Sequence, residues 1–130
     1  MSALESRSPE PPAFDLYREK TRNPMSPEAG LETRLISICE HYVTLESEPR
    51  YRIVDTLMRE FQSLSTTAGA LGHVGLWLTA AVAGEVCLAM MHRGQYNRRS
   101  DLAMLERLIR KLDGQLAADE PWNRRPLDTP

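Results

Sequence analysis

Three histidines, two cysteines and a cluster of arginines are the side chains of this sequence whose types and spacing bear on chemistry. A carboxylate-bridged diiron bundle needs a Glu-x-x-His pair on each of two helices, so that both side chains point at one metal site. The residues three before His41, His73 and His92 are Ile38, Ala70 and Ala89, so that ligand pattern is absent. Cys39 and His41 are two apart, which on a helix turns them about 200° from each other, and Cys87 and His92, five apart, are no better placed to share an ion. A set assembled between helices from Cys39, Cys87 and Glu85 is the remaining arrangement. Against it stands the plainer reading of two buried structural thiols, which is preferred. Gly69, Gly72 and Gly75 form a G-x-x-G-x-x-G run, but no strand precedes it and no Lys-Ser or Lys-Thr follows, as a phosphate-binding loop requires; it reads as a turn between helices.

The arginines gather between residues 92 and 111, where Arg93, Arg98, Arg99, Arg107, Arg110 and Lys111 face only Asp101 and Glu106, a local charge of +4. The chain of 130 residues as a whole carries −2, which argues against a nucleic-acid binder held by bulk charge and leaves a local anionic contact, nucleic-acid phosphate included, as one reading of this patch. Tyr96 alone interleaves with the arginines, so base stacking has little support, and a solvated basic helix face is the plainer reading.

These residues must be held by helices. Five of nine prolines fall within the first 27 residues and three in the last ten, which predicts disordered Pro-rich tails at 1–26 and 119–130 around one folded unit at 27–118. Ser26-Pro27-Glu28 signals the start of a first helix, with Leu31, Leu35, Ile38, Tyr42 and Leu45 along its apolar side and Pro49 ending it. A second helix from about Arg50 carries Ile53, Val54, Leu57, Phe61, Leu64 and Ala68 and ends near Gly69 and Gly72. The third, about Val74 to Arg93, is apolar nearly all round and stops at Gly94; enclosure within the bundle is preferred over a membrane span, because His73 and Glu85 would be costly in lipid. A fourth from about Ser100 presents Leu102, Leu105, Leu108, Ile109, Leu112 and Leu116 before Gly114 and the polar tail oppose its continuation. Short connections favour antiparallel neighbours, so the fold class is all-α, an up-and-down four-helix bundle. No apolar leader opens the chain and two thiols make no disulfide framework, which points to a cytoplasmic setting.

From Phe61-Gln62-Ser63-Leu64-Ser65-Thr66 through Thr67-Ala68-Gly69-Ala70-Leu71-Gly72 the chain resembles the A-H-T-L-K-G-S-A-G-x-L-G signature of histidine-containing phosphotransfer domains. The similar positions are Ser63, Leu64, Ala68, Gly69, Leu71 and Gly72; Leu76, Ala80, Ala81 and Glu85 extend the likeness, with Glu85 one residue late, and the whole covers about residues 53–94. That family folds as a four-helix bundle. In its register Gln62 replaces the phospho-accepting histidine, Ser65 the lysine and Thr66 the glycine, and an amide cannot form the phosphoramidate that an imidazole can. The resemblance therefore implies a relative that cannot be phosphorylated.

The function expected is a non-enzymatic adaptor that binds a protein, a receiver domain or kinase among the candidates, through a docking face of Arg59, Gln62, Ser63 and Thr66, with no cofactor, metal or membrane. The alternative is a small helical subunit of a nucleoprotein assembly using the basic patch. Pairing of two copies through the third helix fits either reading. Phe14, Leu16 and Tyr17 form a short apolar cluster in the N-terminal tail that could fold onto a partner groove.

Overall fold

A computed structural model describes residues 27–118, which form four helices: α1 (Pro27–Ser47), α2 (Tyr51–Ala70), α3 (Val74–Arg93) and α4 (Arg99–Ala118). The connections, 48–50, 71–73 and 94–98, are too short for anything but antiparallel neighbours. Contacts run α1 to α2, α2 to α3, α3 to α4 and α1 to α4, which closes an up-and-down four-helix ring whose most extensive seam joins α2 and α3. Ser26, the Phe14, Leu16 and Tyr17 cluster and both Pro-rich tails lie outside the described residues.

Periodicity decides the core. Leu31, Leu35, Ile38, Tyr42 and Leu45 of α1 are all buried, as are Val54, Leu57, Phe61, Leu64 and Ala68 of α2. Ile53 is half-buried beside them. On α4, Leu105, Ile109, Leu112 and Leu116 reach the interior, while Leu102 and Leu108 sit half-buried at its margins. The helix passes through Gly114 to Ala118 rather than stopping there. A glycine inside a helix costs roughly 1 kcal/mol, and the burial of Leu116 in the following turn offsets that cost.

The helix ends follow backbone chemistry. Gly94 closes α3 at φ 69°, its amide reaching the carbonyls of Met90 and Met91, and His92 and Arg93 lie in the last turn against the negative end of the dipole. Gly72, at φ 85°, makes the turn into α3. The Tyr42 hydroxyl joins α1 to the start of α4, lying 3.0 Å from the Leu102 carbonyl oxygen and 3.1 Å from Glu46 Oε2. The rings of Tyr51 and Tyr96 meet edge to face with centroids 6.2 Å apart, fixing the connection 94–98 against the start of α2.

One expectation is corrected by the ring itself. A helix in a ring of four touches two neighbours, so its outward side meets solvent whatever its residues. α3 is therefore not enclosed: it buries Leu76, Thr79, Ala80, Ala83, Gly84, Cys87 and Met90, while Val74, Trp77, Leu78, Ala81 and Val82 are exposed. Among the described residues α3 is the one helix long and apolar enough to cross a membrane, a statement of length and composition only.

Candidate docking face

Arg59, Gln62, Ser63 and Thr66 follow one another by three, one and three residues, which aligns them on one side of α2. The structure brings them together there, with Arg59, Gln62 and Thr66 exposed and Ser63 half-buried. Arg59 Nε donates to Asp55 Oδ2 at 3.2 Å, one turn back on the same helix. Phe61 and Leu64, on the opposite side, are what turn Gln62 outward.

Between this strip and α3 runs an open groove of about 380 Å³, lined by Gln62, Ser65 and Thr66 from one helix and Ala81, Gly84 and Glu85 from the other. Small residues make it. A Cβ on Gly84 would lie 3.8 Å from Phe61 Cβ and 3.9 Å from Gln62 Cγ, ordinary contact distances, so Gly84 sets the depth of the groove rather than relieving a clash. Ser65 forms its floor: buried to 8% exposure, it donates from Oγ to the Trp77 carbonyl oxygen at 3.0 Å. Ser65 is thus turned into the α2–α3 seam.

Beyond the groove lies what sequence reasoning missed. Val74, Trp77, Leu78, Ala81 and Val82 succeed one another at helical spacing and form a continuous apolar stripe on the outside of α3, with Trp77 44% and Val82 50% exposed. The Trp77 indole lies over Gly69 of α2, where a Cβ would meet it at 3.5 Å. A signal existed in the sequence: an all-apolar helix placed in a four-membered ring must present apolar residues outward. An exposed apolar patch of this kind, rimmed by polar residues, is what protein interfaces are made from.

The basic patch is only partly available. Arg93 Nη2 donates to Asp101 Oδ2, Arg98 Nε lies 4.0 Å from the same oxygen, and Arg110 Nη2 donates to Glu106 Oε2 at 2.9 Å. Arg99, Arg107 and Lys111 stand exposed on α4.

The metal set dissolves in three dimensions. Cys39 and Cys87 are buried, Glu85 is exposed at the groove, and no group of three or more His, Cys, Asp or Glu among the described residues is placed to hold an ion. Burial pushes both thiols up to about 12, with the charges of Asp113 and Glu40 adding to the effect at Cys39.

A polar cluster between α1 and α2 went unnoticed in the sequence. Ser37 Oγ donates to Glu60 Oε2 at 2.5 Å, and His41 Nδ1 lies 2.9 Å from Glu60 Oε1. A nucleophilic relay needs the imidazole between hydroxyl and acid. Here the carboxylate is in the middle and its side chain is only 16% exposed, so the arrangement ties two helices together. Comparison with family models, with curated proteins and with solved structures gives no match.

Proposed function

We propose that this four-helix bundle is a non-enzymatic protein-binding module, a regulatory adaptor whose partner docks across α2 and α3. The observation that carries this reading is the pairing of a polar strip, Arg59, Gln62 and Thr66, with an apolar stripe, Trp77, Leu78, Ala81 and Val82, on either side of one open groove. Such a face offers desolvation energy at its centre and hydrogen-bonding groups that set register at its edge. A partner helix laid along the groove would cover both.

Kinship with histidine-containing phosphotransfer domains belongs to this proposal. It is supported by Gln62 standing exposed at the position that family gives to its histidine, next to a groove a receiver-like surface would enter. The amide keeps the shape of the site without its phosphoryl chemistry. A cytoplasmic setting goes with the same reading.

The nucleoprotein alternative ranks second, because Arg93, Arg98 and Arg110 are engaged with carboxylates of their own chain. Affinity purification of the tagged full chain from its native cell, split into nuclease-treated and untreated halves, separates the two. Protein partners that survive nuclease support the adaptor. Partners lost with co-purifying nucleic acid refute it in favour of the basic patch.

A further inference from the structure

The seam between α3 and α4 is fixed at both ends. A Cβ on Gly75 of α3 would lie 3.0 Å from Nε2 of Gln115, and Arg93 at the other end of α3 donates to Asp101 of α4. Helical spacing dictates what lies between. Leu78, Val82, Val86 and Ala89 continue the row from Gly75 to Arg93, and Met104, Leu108 and Lys111 continue the row from Asp101 to Gln115. Leu78, Val82, Met104 and Lys111 are exposed along this seam. Because the two helices run antiparallel between those end contacts, Lys111 stands level with Leu78 and Val82, and Arg107 is exposed one turn away, beside Met104. Neither Arg107 nor Lys111 enters an ion pair among the described residues, and Arg93 and Arg98 share the single carboxylate of Asp101. These four cations face two carboxylates, Asp101 and Glu85, the latter exposed on the outer side of α3, so the face carries a net +2.

We propose that this seam seats the chain on an anionic lipid surface, with Leu78, Val82 and Met104 entering the headgroup boundary and Arg107 and Lys111 reaching lipid phosphates. Three observations name this occupant. The positive face attracts phosphate and opposes a second copy of itself, since setting seam on seam would bring Arg107 and Lys111 of both copies together. The cations stand among exposed apolar side chains, and neither row carries an aromatic ring on which a nucleic-acid base could stack. Leu78 and Val82 gain by leaving water for a headgroup layer, while the aliphatic stems of Lys111 and Arg107 lie along them and keep their charges at the phosphates. The shape also fits. α3 is a corner of the ring whose exposed side chains make a convex ridge, to which lipid conforms without needing a groove. This is contact with a surface and not a span: α3 keeps its place against α2 and α4. It stands apart from the groove at Gln62 and Gly84, which opens on the α2 side of α3.

The test is flotation of the purified full-length chain with vesicles of phosphatidylcholine alone and of phosphatidylcholine mixed with phosphatidylglycerol, at low and high salt. No protein partner is present, so the outcome is separate from that of the docking face. The expected result is binding to the mixed vesicles and not to the neutral ones, weakened by salt. Arg107→Ala and Lys111→Ala are each expected to weaken it about fivefold, and Val82→Asp to abolish it with the fold intact by circular dichroism. A chain that leaves the mixed vesicles unbound at low salt overturns the proposal. So does binding that Arg107→Ala, Lys111→Ala and Val82→Asp leave unchanged. If vesicles are unbound while the same variants alter binding of a single-stranded oligonucleotide or the sedimentation of the chain alone, the seam belongs to nucleic acid or to a second copy instead. An environment-sensitive fluorophore provides an independent reading, attached at Leu78→Cys or, diagonally across the ring on α1, at Glu40→Cys; the native thiols are buried and leave the labelling selective. Emission that shifts to the blue on mixed vesicles from position 78 and not from position 40 supports the seating, and equal responses at the two positions refute it.

Discussion

The hydroxyl of Ser65 on α2 donates to the backbone carbonyl of Trp77 on α3, twelve residues on, at 3.0 Å. That bond crosses the largest seam of the bundle directly beneath the groove and fixes the height of the polar strip relative to the apolar stripe. Ser65→Ala is expected to lower stability by about 1 kcal/mol. Ser65→Lys is expected to cost about 1–3 kcal/mol more than that, since the longer side chain must be forced into the α2–α3 seam in addition to losing the bond. Urea denaturation followed by circular dichroism checks both, and equal effects of the two substitutions would contradict the buried setting.

Glu60 holds Ser37 and His41 of α1 from its place on α2. Glu60→Gln keeps the size of the side chain but gives up charge-assisted bonds, and Glu60→Ala leaves both partners without an acceptor. The expected losses are about 1 and about 2 kcal/mol. A double-mutant cycle of Glu60→Ala with His41→Ala checks that they couple, and strict additivity would show that they do not.

Gly94 ends α3 with φ 69°. A side chain there meets the left-handed penalty of about 1–2 kcal/mol, so Gly94→Ala is expected to lower the melting temperature. Gly114→Ala, inside α4 with open space at its Cβ, is expected to raise stability by up to about 1 kcal/mol. Opposite signs for two exposed glycines within one bundle make a compact check by thermal unfolding.

The thiols give a pH dependence whose sign is fixed. Cys39 and Cys87 ionise near 9.0 in an ordinary setting and near 12 when folded, so the folded chain holds these protons more tightly than the unfolded one. Their contribution to stability is fully present below pH 9.0 and declines as pH rises from 9.0 toward 12. Ellman's reagent at pH 8 is expected to leave both native thiols unreacted and to titrate two per chain in denaturant. Rapid reaction of either in the native chain would contradict the burial.

Amphipathic contrast explains what the sequence made legible. α1, α2 and α4 each carry one apolar side, so Leu35, Phe61 and Leu112 were placed in the core from spacing alone, and Gln62 was placed outside because Phe61 and Leu64 point in. α3 carries no such contrast. Its length and its stop at Gly94 could be read, but not which side would be left uncovered, and Trp77, Leu78 and Val82 therefore escaped as surface residues. The Ser37, His41 and Glu60 cluster was hidden for another reason: it depends on the register between α1 and α2, which no local pattern encodes. The basic residues follow closely in the chain, while the pairing of Arg93 and Arg98 with one carboxylate, Asp101, depends on how α4 leaves its preceding turn.

The central claim, a partner docked across α2 and α3, is tested most directly by site-specific photo-crosslinking of the full chain in its native cell, with a benzophenone side chain placed at Gln62 in one variant and at Arg107 in another. Both sites are exposed, so neither substitution disturbs the core. A discrete protein adduct from position 62, abolished by adding Val82→Asp and absent from position 107, is the result predicted. Adducts from position 107 alone, or adducts from 62 that survive Val82→Asp, would contradict it.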